Sequence, residues 1–108
     1  MDFEILPGAR TYFKSLRKNQ PLLKKFQAAI ESLRIDPSLG DMKYGDLAGI
    51  SSFDIRHNRT SYELAYLVEE QKNGELLLII LAGTRENFFE QLKVYIRTSS
   101  ATKQIRRN

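Results

Sequence analysis

Cysteine is absent from this chain, which removes disulfide bridges and thiolate chemistry together. A reducing, cytoplasmic setting is therefore expected. Histidine occurs once, at His57. With no cysteine and no clustered carboxylates beside it, the sequence offers no convincing transition-metal site. Neither a metal nor a cofactor is expected. No Walker or dinucleotide-binding motif occurs, and Gly40, Gly45 and Gly49 do not make one. A triad can be drawn from His57 and any serine, but no serine has a nucleophile-elbow context. No apolar run is long enough to span a bilayer, and the opening MDFEILPGAR has neither a basic nor a long apolar region. Secretion and membrane insertion are not expected. Internal repeats are lacking too, so nothing divides the chain into more than one domain.

What is present is enough for one modest core: 108 residues, 42% hydrophobic and 28% charged. The balance is that of a globular protein and not of a disordered one. Net charge is +4, with a pI near 9.5. Such a chain favours an anionic partner by raising encounter rates. Nucleic acid, an acidic protein and a membrane surface all qualify, and charge alone does not choose among them.

Asp2 to Leu6 alternates as a short strand ended by Pro7-Gly8. Ala9, Tyr12, Phe13 and Leu16 recur at helical spacing. Pro21 suits the first turn of a second helix capped by Asn19 or Gln20, with Leu22, Phe26, Ala29, Ile30 and Leu33 inward. Asp36-Pro37 stops it. Residues 38–51 have no steady period and read as loop. Phe53, Ile55 and His57 alternate on one side of a strand, and residues 58–61 turn the chain. Tyr62, Leu64, Tyr66 and Val68 alternate again. Asn73-Gly74 signals a hairpin into the apolar run Leu76–Leu81, a strand buried on both faces. That run breaks at Ala82-Gly83, and Thr84 reads as the N-cap of a last helix carrying Phe88, Leu92, Tyr95 and Ile96 inward. The fold expected is α+β: an N-terminal strand and a helical hairpin packed on one side of an antiparallel sheet, with a C-terminal helix. Residues 1–98 form the single domain. Residues 99–108 form a basic, flexible tail. The place of the first strand in the sheet is left open.

Lys43, Arg56, His57, Arg59 and Arg85 all fall in loops or at strand ends of the sheet half. Gathered in one groove, they would attract a polyanion and stabilise extra charge on a phosphate. The plainer alternative makes each an ordinary solvated or ion-paired residue. Arg85 stands where a core strand hands over to a helix, a rigid mount for a guanidinium that must meet phosphate. His57 is either a general base for metal-free RNA cleavage or a turn-proximal residue without catalytic duty. Tyr62 and Tyr66 fit core packing better than base stacking. Phe88 and Phe89 point about a hundred degrees apart, so one packs inward and the other is available to a groove or partner.

Four stretches in this order carry a resemblance over roughly residues 2–96: ARTYFKSL, DPSLGDMKYGDLAGI, SFDIRHNRTSYELAYLVEE and AGTRENFFEQLKVYI. Together they resemble the RelE/ParE superfamily, the toxins of bacterial type II toxin–antitoxin modules. The resemblance implies a small α+β toxin neutralised by a cognate antitoxin, itself a helix-turn-helix protein that carries the pair to operator DNA. It implies one of two activities. The first is ribosome-dependent cleavage of mRNA without metal, by attack of the ribose 2′-hydroxyl on the adjacent phosphate. The second is non-catalytic inhibition of DNA gyrase. For the first, Arg85 matches the basic position after the last strand that helps hold the scissile phosphate, Arg56 matches a basic position on the hairpin strands, and His57 is the candidate acid or base. Lys43, Arg59 and Phe89 are the candidate RNA contacts. Two departures stand out. Phe89 replaces a tyrosine common in the cleaving members, and Glu63 stands where an arginine commonly follows the strand-opening tyrosine.

Overall fold

The computed structural model describes residues 1–99, and positions 100–108 of the expected tail lie outside them. Strand β1 (Asp2–Ile5) passes almost directly into helix α1 (Pro7–Ser15). Pro7 thus opens a helix as well as ending a strand. The N–H it lacks is one that a first turn leaves unpaired anyway. Helix α2 (Gln20–Ile35) starts at Asn19, whose side chain accepts from the Leu22 N–H at 3.4 Å. Its buried residues are Leu22, Phe26, Ala29, Ile30 and Leu33, the five that helical spacing selects. Asp36 ends α2 and caps a short 3-10 turn over Pro37–Leu39.

The segment expected as loop also holds a two-residue strand, β2 (Asp41–Met42), paired with Ser51 and Ser52. Two residues are too few for alternation to reveal. Strands β3 (Ser51–His57), β4 (Thr60–Gln71) and β5 (Gly74–Thr84) follow, then helix α3 (Phe88–Thr98). The sheet order is β1-β5-β4-β3-β2, antiparallel except where β1 lies parallel to β5. The first hairpin is tighter than expected and the second turns one residue early. Asn58 and Arg59, with φ of 49° and 66°, form the whole turn between β3 and β4. Between β4 and β5 the turn is Lys72-Asn73, one residue early, and Gly74 (φ 122°) is already paired with Gln71.

Two apolar clusters sandwich the sheet. Ala9, Leu16, Leu22, Phe26, Leu33, Ile55, Leu64, Tyr66, Leu77 and Ile79 form the one under α1 and α2. Leu6, Leu47, Ile50, Ala65, Ile80, Phe88, Leu92 and Ile96 form the other, under α3. Leu64 and Ala65 are neighbours on one strand and belong to different clusters, so the two lie on opposite faces. Helices therefore cover both sides of the sheet, not one. An amphipathic stripe says which residues of α3 turn inward, but not which face of the sheet receives them. A bulge sharpens the division. Ala65 opposes Leu81 and Tyr66 opposes Ile79, which leaves Ile80 without a partner. Ile80 and Leu81 both pack into the α3 cluster as a result.

The expected break at Ala82-Gly83 does not occur. β5 runs on to Thr84, which pairs with Tyr62, so Thr84 is a strand residue and no helix cap. The residue before α3 is Asn87, in the left-handed region at φ 60° and without a side-chain cap. Among the described residues no helix is long and apolar enough to cross a membrane.

Candidate functional site

Alternation along β3 assigns its side chains to faces. Phe53 and Ile55 pack toward α1 and α2, so Ser52, Asp54 and Arg56 point to the α3 face. On β4 the same face receives Ser61 and Glu63, the direct cross-strand partners of Arg56 and Asp54. The Arg56 guanidinium donates to Ser61 Oγ at 3.4 Å. Arg85, just past the end of β5, is fixed by its own backbone N–H, which donates to the Ser61 carbonyl at 2.9 Å. One serine therefore carries both arginines, and both lie at the same end of the sheet.

Lys43 belongs to the connection between β2 and β3, where its N–H donates to the Ile50 carbonyl at 2.9 Å. Its ammonium lies 4.5 Å from the centre of the Phe89 ring, a cation–π contact. Phe88 is fully buried, while Phe89 is half-buried against the α3 cluster and meets Phe88 edge to face. The pair thus divides as its angular spacing predicts. Lys43, Phe89, Arg56 and Arg85 all belong to the α3 side.

Two predicted residues are not brought into this group. His57 shares its face with Phe53 and Ile55, so its ring turns away from Arg56 and toward the α2 side. There Lys25 Nζ donates to the Arg56 carbonyl at 2.8 Å. Arg59 is exposed at the tip of the β3–β4 turn. Tyr62 and Tyr66 are core residues, as alternation suggested. Tyr62 sits edge-on to Phe26, and Tyr66 is fully buried. The Tyr66 hydroxyl donates to the Pro37 carbonyl at 2.5 Å and accepts from the Gly40 N–H at 3.0 Å. A Cβ on Gly40 would stand 2.5 Å from that hydroxyl, so only glycine fits there.

Glu63 is the residue that sequence reasoning missed. It is 1% exposed, yet it carries a carboxyl group. Ser52 Oγ donates to its Oε1 at 2.5 Å, and Arg85 Nε stands 3.3 Å from its Oε2. Oε2 receives no hydrogen bond there. Burial and a hydrogen bond with Asp54 push the Glu63 carboxyl up to about 7, against the pull of Ser52 and of the Arg85 charge. A signal for this was available. Ala65 and Leu67 share the parity of Glu63, which marks that face of β4 as covered.

The family model for the ParE-like toxin of type II bacterial toxin–antitoxin systems matches residues 4–93. The chain belongs to the ParE-like toxins. One solved structure with the same fold is a YoeB/ParE toxin from Agrobacterium tumefaciens, at TM-score 0.65 and 18% identity, covering 79% of this chain and 99% of that one. No curated protein matches the sequence. The α+β fold with a C-terminal helix that the resemblance implies is therefore the one observed, and this ParE-like toxin has a cognate antitoxin as its partner.

Proposed function

We propose that this toxin inhibits translation by cutting mRNA on the ribosome, without metal, through attack of a ribose 2′-hydroxyl on the adjacent phosphate. The single observation that carries this reading is the attachment of Arg56 and Arg85 to Ser61 on one face of the sheet. Two arginines anchored to one residue, Arg56 through its guanidinium and Arg85 through its backbone N–H, can take the charge that grows on the non-bridging oxygens of one phosphate. Lys43 adds positive field beside them, and the Phe89 ring under its ammonium offers a stacking surface to a base. Arg59 extends the cationic edge toward the hairpin tip. His57, whose ring belongs to the opposite face, has no part in this reading.

The antitoxin is expected to be an acidic, amphipathic chain joined to a helix-turn-helix domain. A groove of about 340 Å³ between α1 and α2 suits such a segment, with Phe13, Leu23 and Ile30 along its floor and Arg10, Lys14 and Arg17 on its rim. The toxin would reach operator DNA only through that partner.

A second reading is favoured by two specific features: Phe89 has no hydroxyl to give a proton, and Glu63 offsets the charge of Arg85. It makes the toxin a non-catalytic inhibitor of DNA gyrase. Inducible expression separates the two. Primer extension on ribosome-bound mRNA should reveal new 5′ ends under the first reading. Intact mRNA with loss of supercoiling activity in purified gyrase would replace it with the second.

A further inference from the structure

With His57 on the far face, the RNA-cleaving reading leaves its acid/base unassigned. We propose that Asp54 and Glu63 together are that acid/base: Asp54, exposed, receives the proton of the 2′-hydroxyl, and Glu63, buried behind it, stores it. The proposal rests on the RNA-cleaving reading and names residues for it that neither the resemblance nor the basic cluster suggests.

The geometry is that of two carboxyl groups set side by side on neighbouring strands. Asp54 and Glu63 are direct cross-strand partners with side chains on one face of the sheet. Asp54 is exposed and Glu63 is not. Direct cross-strand partners on one face stand close enough for a proton to pass between their carboxyl groups, and the nearness of Asp54 helps hold the Glu63 carboxyl above its ordinary range. The surroundings are few and defined. From β3, Ser52 donates to Glu63, and Arg56 flanks Asp54 two residues on. From the loop after β5 comes Arg85, at 3.3 Å. β5 itself opposes Glu63 with Gly83, which has no side chain, and over that glycine α3 lays the apolar ring of Phe88. Lys43, over Phe89, is the further cation of this face.

In the step, the 2′-hydroxyl gives its proton to the Asp54 carboxylate, and Asp54, once protonated, passes it across the strand pair to ionised Glu63. The 2′-oxygen forms a bond to phosphorus while the bond from phosphorus to the 5′-oxygen breaks. Arg56 and Arg85 hold the charge on the non-bridging oxygens. The products are a 2′,3′-cyclic phosphate and a 5′-oxygen that takes a proton from solvent. The stored proton then returns to water through Asp54. Asp54 is the catalytic residue in this step. Glu63 acts through it and sets the pH at which it works.

The test is the pH profile of cleavage by the purified full chain on mRNA-programmed ribosomes, for wild type, D54N and E63Q, each first shown folded by circular dichroism. The wild-type rate should rise with pH and level off above about 7, where Glu63 has ionised. D54N should lose on the order of a hundredfold on the plateau. E63Q should lose the rise near neutrality. A folded D54N with the wild-type rate and profile would overturn the proposal while leaving RNA cleavage standing. So would a D54N that is slower but keeps the same pH limb, since that would make Asp54 a structural residue. A wild type that cuts no RNA at any pH would overturn both this proposal and the reading beneath it.

Discussion

The two faces of the sheet are covered in different ways. On the α1–α2 face the cover is apolar and aromatic, with Phe26 at its centre meeting Tyr12, Phe13 and Tyr62 ring to ring. Packing dominates that face, where His57 Nδ1 is the buried polar atom left without a hydrogen bond among the described residues. On the other face α3 covers only part of the sheet, and a run of charged and polar side chains from Ser52 to Arg85 occupies the end that is left. One face holds the fold together. The other keeps a carboxyl group buried beside an arginine, a cost that packing alone does not explain.

Substitutions can set the faces against each other. The largest effect belongs to the apolar face. Phe26→Ala removes the ring at the centre of the aromatic group and should cost about 3–5 kcal/mol, read as a fall in denaturant midpoint. A loss below 1 kcal/mol would mean that this face is not the main source of stability.

Next comes the buried carboxyl. Folding raises Glu63 from 4.5 to about 7, so the folded protein holds this proton more tightly than the unfolded chain does. Its contribution is complete below the unfolded pKa and is lost as pH rises through the folded one, by about 3 kcal/mol in all. Glu63→Gln keeps the shape without the ionisation. Thermal melts across this range should fall with rising pH for wild type and be flatter for the variant. Parallel curves would show that the carboxyl is not the group responsible.

Arg85→Ala should lower mRNA cleavage about a hundredfold, or between 2 and 3 kcal/mol of barrier. Full toxicity with full cleavage would remove Arg85 from the site. Tyr66→Phe takes away a hydroxyl bonded to Pro37 and Gly40 and should cost about 1–2 kcal/mol of stability with cleavage unchanged. The smallest effect is expected at His57. With its ring on the α2 side, His57→Ala should alter the cleavage rate by no more than about twofold. A large drop would place catalysis on both faces.

Much of this arrangement is legible in the sequence, unevenly and for physical reasons. The buried stripe of α2 is read without error because five apolar residues at helical spacing admit one solution. The alternation of β3 and β4 likewise gives the inward residues, and with them the face of His57. The end of β5 is misread because Ala82-Gly83 is a local signal, and pairing with Leu64 and Glu63 overrides it. β2 is too short to have a period. Alternation puts Glu63 on the face of Ala65 and Leu67 but does not say how deeply it is buried. Its burial comes from neighbouring strands, from Arg85 and from a helix that begins well beyond it in the chain.

The parallel pairing of β1 with β5 joins Asp2 to Leu76. A contact between positions so distant in sequence is slow to form, and synthesis delivers the N-terminal partner first. The sheet therefore stays incomplete while the chain is being made, and Arg85 is not even present until β5 has been added. A protein built in this order has no finished basic face until its last strand is in place. The delay gives a partner time to meet the nascent chain before it becomes active.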